Sequence, residues 1–172
     1  MIDELILVDE EDSEVGFLDK ISCHLGFGVL HRAFSVFIFN SKGELLLQRR
    51  AEGKMLWPGF WSNSCCSHPR RGESIEDAAS RRIVEELGIA CCLRYVYKFR
   101  YSALFDSVGS ECEVCSVFIG RCDDEVVVDD AEVSEFCWMG VDDLIRDVSL
   151  NPDRYTPWFR LEIEKLRKLG EI

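Results

Sequence analysis

The chain contains three histidines, His24, His31 and His68. The third lies in the run Cys66-Ser-His-Pro, where an extended backbone lets Cys66 and His68 line one cavity. Downstream, Glu111 and Glu113 stand two apart in a strand-like stretch, so both carboxylates leave one face while Cys112 points away. Two like charges flanked by apolar residues need a counter-charge. A divalent cation shared with three imidazoles supplies it, and a set of three nitrogens and two oxygens is richer than a structural tetrahedral zinc site requires. Spacing alone leaves the alternatives open: each histidine also reads as polar core or surface, and the glutamates as a solvent-facing pair on an exposed sheet.

Cys66 adds a group that can serve as nucleophile or as proton donor and acceptor, with an unperturbed pKa of about 8.5 that keeps it a thiol at neutral pH. Its other reading is a small buried hydrophobe. A second set of acids, Glu73, Glu85 and Glu86, accompanies Arg81 and Arg82 along a helical stretch. Acids so arranged hold Mg2+ against a diphosphate, since hard oxygen ligands suit magnesium. The alternative is a surface pair such as Arg82 with Glu86. Lys20, Arg49, Arg50, Lys54, Arg70, Arg71, Arg81 and Arg82 are candidates for a local anion pocket. The net charge of −12 argues against nucleic acid or an anionic membrane as the main partner.

These groups need elements to hold them. Residues 33–40 (AFSVFIFN) and the following ELLLQRR, joined by turn chemistry at Lys42-Gly43, read as a β-hairpin. Residues 51–71 lack periodicity and read as a long structured loop. Ser74 caps the clearest helix, with Asp77 three residues on, apolar Ile75, Ala78, Ala79, Ile83 and Leu87 at helical spacing, and Gly88 as the stop. Residues 93–105 and 111–122 alternate as strands and are expected to pair antiparallel. The acidic stretch 123–135 is expected to cross the surface, 136–139 to form a short strand and 141–148 a short helix. In the tail, Phe159, Ile163 and Leu166 make one helical stripe with Trp158 and Leu161 beside it. Strands with interspersed helices and no regular βαβ alternation predict an α/β or α+β sandwich around a mixed sheet.

With 172 residues and 47% hydrophobic content, the chain suits one domain, 1–172, able to bury a core without staples. Its acidic start and short apolar run from Leu5 to Val8 fit neither an export signal nor a membrane span, so the mature protein is expected to be the whole chain. Nine cysteines, an odd count with adjacent pairs at 65–66 and 91–92, predict reduced thiols and a cytoplasmic location.

Taken together, LHRAFSVFIFN, RRAEGKMLWPGFWSNSCCSHP, GESIEDAASRRIVEELGI, FRYSA and ECEV resemble the Nudix fold family, and within it the type I isopentenyl diphosphate isomerases. The Nudix box, G-x5-E-x7-R-E-U-x-E-E-x-G-U with U apolar, falls on residues 67–89. Glu73, Arg81, Glu85, Glu86, Gly88 and Ile89 match it. Ser67 replaces the usual glycine and Arg82 a glutamate, departures that weaken a hydrolase reading and fit the isomerase's degenerate box.

The resemblance implies a Nudix-type mixed sheet sandwich and the conversion of isopentenyl to dimethylallyl diphosphate in isoprenoid biosynthesis. It implies His24, His31, His68, Glu111 and Glu113 as ligands of a divalent metal (Mn2+, Zn2+ or Mg2+), and Cys66 and Glu113 as the two catalytic residues. Tyr101 and Trp158 match aromatic catalytic-pocket positions. Lys20, Arg50, Lys54 and Arg82 match diphosphate-contacting positions, and Glu86 the acid that helps hold Mg2+ on the substrate. A monomer or weak dimer with no membrane partner is expected. The rival is a Nudix hydrolase of a nucleoside diphosphate derivative, which leaves Cys66, His24, His31 and the Glu111-Glu113 pair without work.

Overall fold

The computed structural model describes residues 4–172. Its elements run β1 (Glu4–Val8), β2 (Glu14–Asp19), α1 (Lys20–His24), β3 (His31–Phe39), β4 (Glu44–Arg50), β5 (Trp61–Ser62), β6 (Cys65–Ser67), α2 (Ile75–Leu87), β7 (Leu93–Phe105), β8 (Gly109–Arg121), β9 (Val133–Gly140), α3 (Val141–Leu150) and α4 (Pro157–Leu169). The strands join in one mixed sheet.

β3 is the spine of the sheet. Every residue from Ala33 to Phe39 is buried, because helices cover both faces and leave no side for polar alternation. Phe34, Val36 and Ile38 pack with Ala78, Ala79, Ile83 and Leu87 of α2. Phe37 packs on the other face with Leu144 of α3 and Phe159, Ile163 and Leu166 of α4. The tail stripe is therefore the buried face of α4, whereas Leu161 is exposed. The Ser74 side chain accepts from the Asp77 N–H, and Gly88, at φ 67°, closes α2 in the left-handed conformation.

The expected hairpin differs in its pairing. Asn40 Oδ1 accepts from the backbone of Lys42 and Glu44 and fixes the turn. Beyond it β3 and β4 pair only at Phe39 and Leu45. β3 instead runs parallel to β8 from His31↔Glu113 to Phe39↔Arg121. Along its other edge it receives β6, a strand inside the segment read as loop. β4 goes to β9 and β5. Turn chemistry sets the first rung, but the following rungs are chosen by burial of a two-faced apolar strand. The β7–β8 antiparallel pair is as expected. β9 begins three residues before the anticipated strand, and β1, β2 and α1 in the acidic N-terminal region were not anticipated at all.

Candidate active site

Three neighbouring strands place a row of functional side chains. Glu113 of β8 is opposite His31 of β3 on one side and Tyr101 of β7 on the other. Glu111, two residues earlier, shares its face. His24 ends α1, and a bridge between Leu25 and Gly109 holds that end against the start of β8. His68 follows β6 directly. One donor atom from each of His24, His31, His68, Glu111 and Glu113 lies within 4.8 Å of all the others.

The rings are aimed as ligands. His24 Nδ1 lies 2.6 Å from the Lys20 carbonyl and His31 Nδ1 2.7 Å from that of Val29. A carbonyl only accepts, so Nδ1 carries the proton in both and each Nε2 turns a lone pair inward. Among the described residues His31 Nε2 is buried with no hydrogen-bond partner, and Glu111 Oε2, although 3.0 Å from His24 Nε2, is likewise without one. His68 Nε2 is 2.9 Å from Glu113 Oε1. Converging buried ligand atoms of which two, His31 Nε2 and Glu111 Oε2, find no hydrogen-bond partner among the described residues are what a cation would satisfy, and the mixed nitrogen and oxygen set fits a divalent ion.

Burial opposes charge on the cluster, and its members answer differently. Burial, with the other two histidines beside it, holds His68 well below the ordinary imidazole range. Burial also disfavours charge on His24, but the Glu111 carboxylate outweighs it and raises that ring. Burial would push Glu113 up, yet His31 and the Tyr101 hydroxyl together hold it below the usual carboxylate value.

A cavity of about 320 Å³ opens beside the cluster, lined in part by Lys20, Arg50, Lys54, Cys66, Tyr101 and Trp158 together with His24, His68, Glu111 and Glu113. Cys66 is held on β6 opposite Ser35 of β3. Burial pushes its thiol up to about 12, against the pull of the Arg50 guanidinium 3.9 Å from Sγ. Arg50 is fixed by the carbonyls of Leu56 and Trp57 and lies 5.3 Å from the Trp158 ring. Trp158 is buttressed edge-on by Trp57, at 5.2 Å between centroids, and leans on Tyr101. Burial brings Lys54 down to about 8 and also lowers Lys20, where Arg82 adds to the effect.

Three of the anticipated residues, His31, Arg82 and Glu86, do not line that cavity. Arg82 lines a neighbouring recess that shares Lys20, Ser67, His68 and Glu132 with it. Glu86 is buried on α2, where it pairs with Arg82 and lies 3.4 Å from Gln48 Nε2. Of the two readings of the helix acids, the i, i+4 pair of Arg82 with Glu86 is present. Glu132 was missed. It pairs with Lys54 and, at 3.0 Å, with Arg82. Its only signal was a place in an acidic stretch that read as surface.

A NUDIX domain model matches residues 29–159. The chain is 44% identical over 163 residues to an isopentenyl-diphosphate Delta-isomerase 1 of Photorhabdus laumondii, covering 94% of this chain and 93% of that one. It is 44% identical to an isopentenyl-diphosphate Delta-isomerase of Burkholderia multivorans, with 96% and 93% covered. The chain belongs to the isopentenyl-diphosphate Delta-isomerase family. Its fold is that of the wider NUDIX group: the Deinococcus radiodurans protein DR0079 superposes with a TM-score of 0.77 at 22% identity, over 94% of this chain and 98% of the other. A MutT protein from Methanosarcina mazei superposes at 0.69 and 21% identity, over 83% and 96%. For this isomerase family the mixed sheet with helices on both faces is therefore the α+β architecture expected from the sequence.

Proposed function

We propose that the chain isomerises isopentenyl diphosphate to dimethylallyl diphosphate, adding a proton at one carbon and removing one from another. The observation that carries this reading is that Cys66 and Glu113 line one small cavity in complementary states. Cys66 is a protonated thiol at neutral pH, while Glu113 is held below the usual carboxylate value and is ionised. A proton shift along three carbons needs one group carrying a proton and one able to take it, and each well-placed group contributes about 10²–10⁴-fold.

Trp158 presents an indole to the same space, and a tertiary carbocation formed from the alkene gains about 2 kcal/mol over such a ring, roughly thirtyfold in rate. Tyr101 assists by bonding Glu113. Lys20, Arg50, Lys54 and Arg82 supply the positive charge for the diphosphate, so binding at the non-reacting end orients the alkene. Glu86 is the acid assigned to Mg2+ carried on the diphosphate.

His24, His31, His68, Glu111 and Glu113 are assigned to a second divalent metal, with Mn2+, Zn2+ and Mg2+ all compatible with the donor set. When bound, that ion supplies a fixed positive charge that orients Glu113 and sets its proton affinity. Nine free thiols support work in the reducing cytoplasm.

Incubation with isopentenyl diphosphate and divalent metal in D2O, followed by NMR, tests the proposal. Deuterated dimethylallyl diphosphate with its diphosphate retained is the expected product. Release of phosphate, or cleavage of nucleoside diphosphate derivatives with no allylic product, would transfer the reading to hydrolysis.

A further inference from the structure

Glu162 lies on α4, one helical turn beyond Trp158, and is fully buried. The Cys115 thiol, 3.8 Å from Oε1, hydrogen-bonds it, and the Ser35 hydroxyl is near enough to favour its charge against burial. Cys115 Sγ is also 3.6 Å from Ser35 Oγ, so the three side chains form one polar knot inside an otherwise apolar layer. Glu162 Oε2 is buried and has no hydrogen-bond partner among the described residues.

The knot touches the scaffold of each reactive group. Ser35 is the cross-strand partner of Cys66. Cys115 follows Glu113 by two residues and so shares its face of β8. Trp158 and Glu162 are i and i+4 on α4 and lie on one face of that helix. Proton donor, proton acceptor and aromatic wall thus hang from three different elements that meet at one carboxyl group.

Cys115 of β8 hydrogen-bonds Glu162, and Ser35 of β3, Cys66 of β6, Tyr97 of β7 and Glu113 of β8 are the groups that act on it electrostatically. None is a cation, and one is a carboxylate. An ionised Glu162 here would be an unpaired buried charge, which proteins avoid by keeping the proton. Burial accordingly drives this carboxyl well above its ordinary range. The Cys66-to-Glu113 proton shift does not use that proton.

We propose that Glu162 is a positioning residue: as a neutral carboxylic acid it ties the helix bearing Trp158 to the strands bearing Cys66 and Glu113, and keeps a second negative charge out of the floor beneath that pair. The proposal rests on the isomerase reading for its kinetic consequences, but its structural core does not depend on it. A neutral acid both donates and accepts, as a primary amide does, so glutamine reproduces the knot. Leucine fills the volume and unties it.

The test compares wild type, Glu162→Gln and Glu162→Leu in isomerase kinetics, with infrared difference spectra of the purified proteins at neutral pH. Glu162→Gln should keep kcat near wild type. Glu162→Leu should lose about tenfold or more in kcat with little change in KM, because the misplacement falls on the reacting end and not on the cation cluster. The wild-type minus Glu162→Gln spectrum should contain the carbonyl band of a protonated carboxylic acid.

Equal loss in both variants, wild-type kcat in Glu162→Leu, or the absence of that band would each overturn the proposal. If Glu162→Leu does not fold, the glutamine variant and the spectrum still decide. Should wild type itself show no isomerase turnover, the functional reading fails, and the band alone then judges the neutral knot.

Discussion

Tyr101 donates its hydroxyl hydrogen bond to Glu113 Oε2 at 2.6 Å, with both groups buried. Burial, reinforced by the charges of Glu113 and Glu111, drives the phenol well above its ordinary pKa, so it acts as a donor throughout the neutral range. A hydrogen bond to a charged group contributes about 1.5–3 kcal/mol. In the metal-free protein Glu113 has a folded pKa below its unfolded one. Its contribution to stability is therefore present above the unfolded pKa and lost as pH falls through the folded value. Tyr101→Phe removes one of the groups that depress Glu113, so acid unfolding should begin at higher pH than in wild type. Thermal unfolding across the acidic range checks this, and an unchanged acid limb would refute it. In turnover the same variant should lose about tenfold or more in kcat.

The His/Glu cluster should make stability depend on metal. A ligand that binds only the folded state stabilises by about 2.7 kcal/mol at a hundredfold excess over Kd. Dialysis against a chelator should lower Tm, and re-addition of Mn2+ or Zn2+ should restore it. His31→Ala removes a buried ligand whose Nε2 has no hydrogen-bond partner among the described residues. That variant should bind less metal by elemental analysis, and its Tm should respond less to the chelator.

Much of the site was legible in the sequence because it is written in residue types, and little of its assembly was. Glu111 and Glu113 announce a shared face through strand period alone. Nothing in the neighbourhood of His31 says that its strand runs parallel to β8 and meets Glu113, a contact between residues far apart in the chain. The Lys42-Gly43 turn even pointed elsewhere, toward a hairpin that the fold abandons after one rung. β1 and β2 were hidden because acidic residues flank their short apolar cores. Glu162 was hidden because a glutamate in a terminal helix reads as solvent-facing, and only tertiary packing puts it in the core.

Cys66→Ala should separate chemistry from binding. The thiol faces the cavity beside Arg50, whereas Lys20 and Lys54 line the same cavity independently of it. The variant should bind inorganic pyrophosphate with Mg2+ about as tightly as wild type by calorimetry, yet form no dimethylallyl product. Substantial turnover would remove Cys66 from the pair.

Glu132 occupies Lys54 and Arg82, two of the cations assigned to the diphosphate. An incoming diphosphate must break these pairs, so part of its attraction is spent on displacement. Glu132→Gln keeps the shape and removes the competing charge. Pyrophosphate with Mg2+ should then bind more tightly, by about threefold to tenfold, the scale of a partly exposed ion pair. Weaker binding would mean that Glu132 serves the ligand and does not compete with it.

Gly109 offers a test of how the metal cluster is held that touches none of its ligands. A Cβ built on Gly109 would lie 2.1 Å from the carbonyl oxygen of His24, far inside contact distance, and 3.4 Å from a Leu56 side-chain carbon. The obstructing atom is backbone at the end of α1, where Leu25 bridges to Gly109 and fixes how deeply His24 enters the cluster. Gly109→Ala must therefore move α1 away from β8, and His24 with it. Displacement of one ligand from a preorganised set weakens the site, so metal affinity should fall about tenfold or more. His31 and His68 hang from β3 and the end of β6, and Glu111 and Glu113, although on β8 with Gly109, are held by its pairing with β7 and β3 and should remain in place. The variant should thus be folded but metal-poor, with higher divalent metal concentrations restoring both Tm and turnover. Wild-type metal affinity in Gly109→Ala would mean that α1 has room to adjust, and that the close approach of Gly109 to His24 does not control the site.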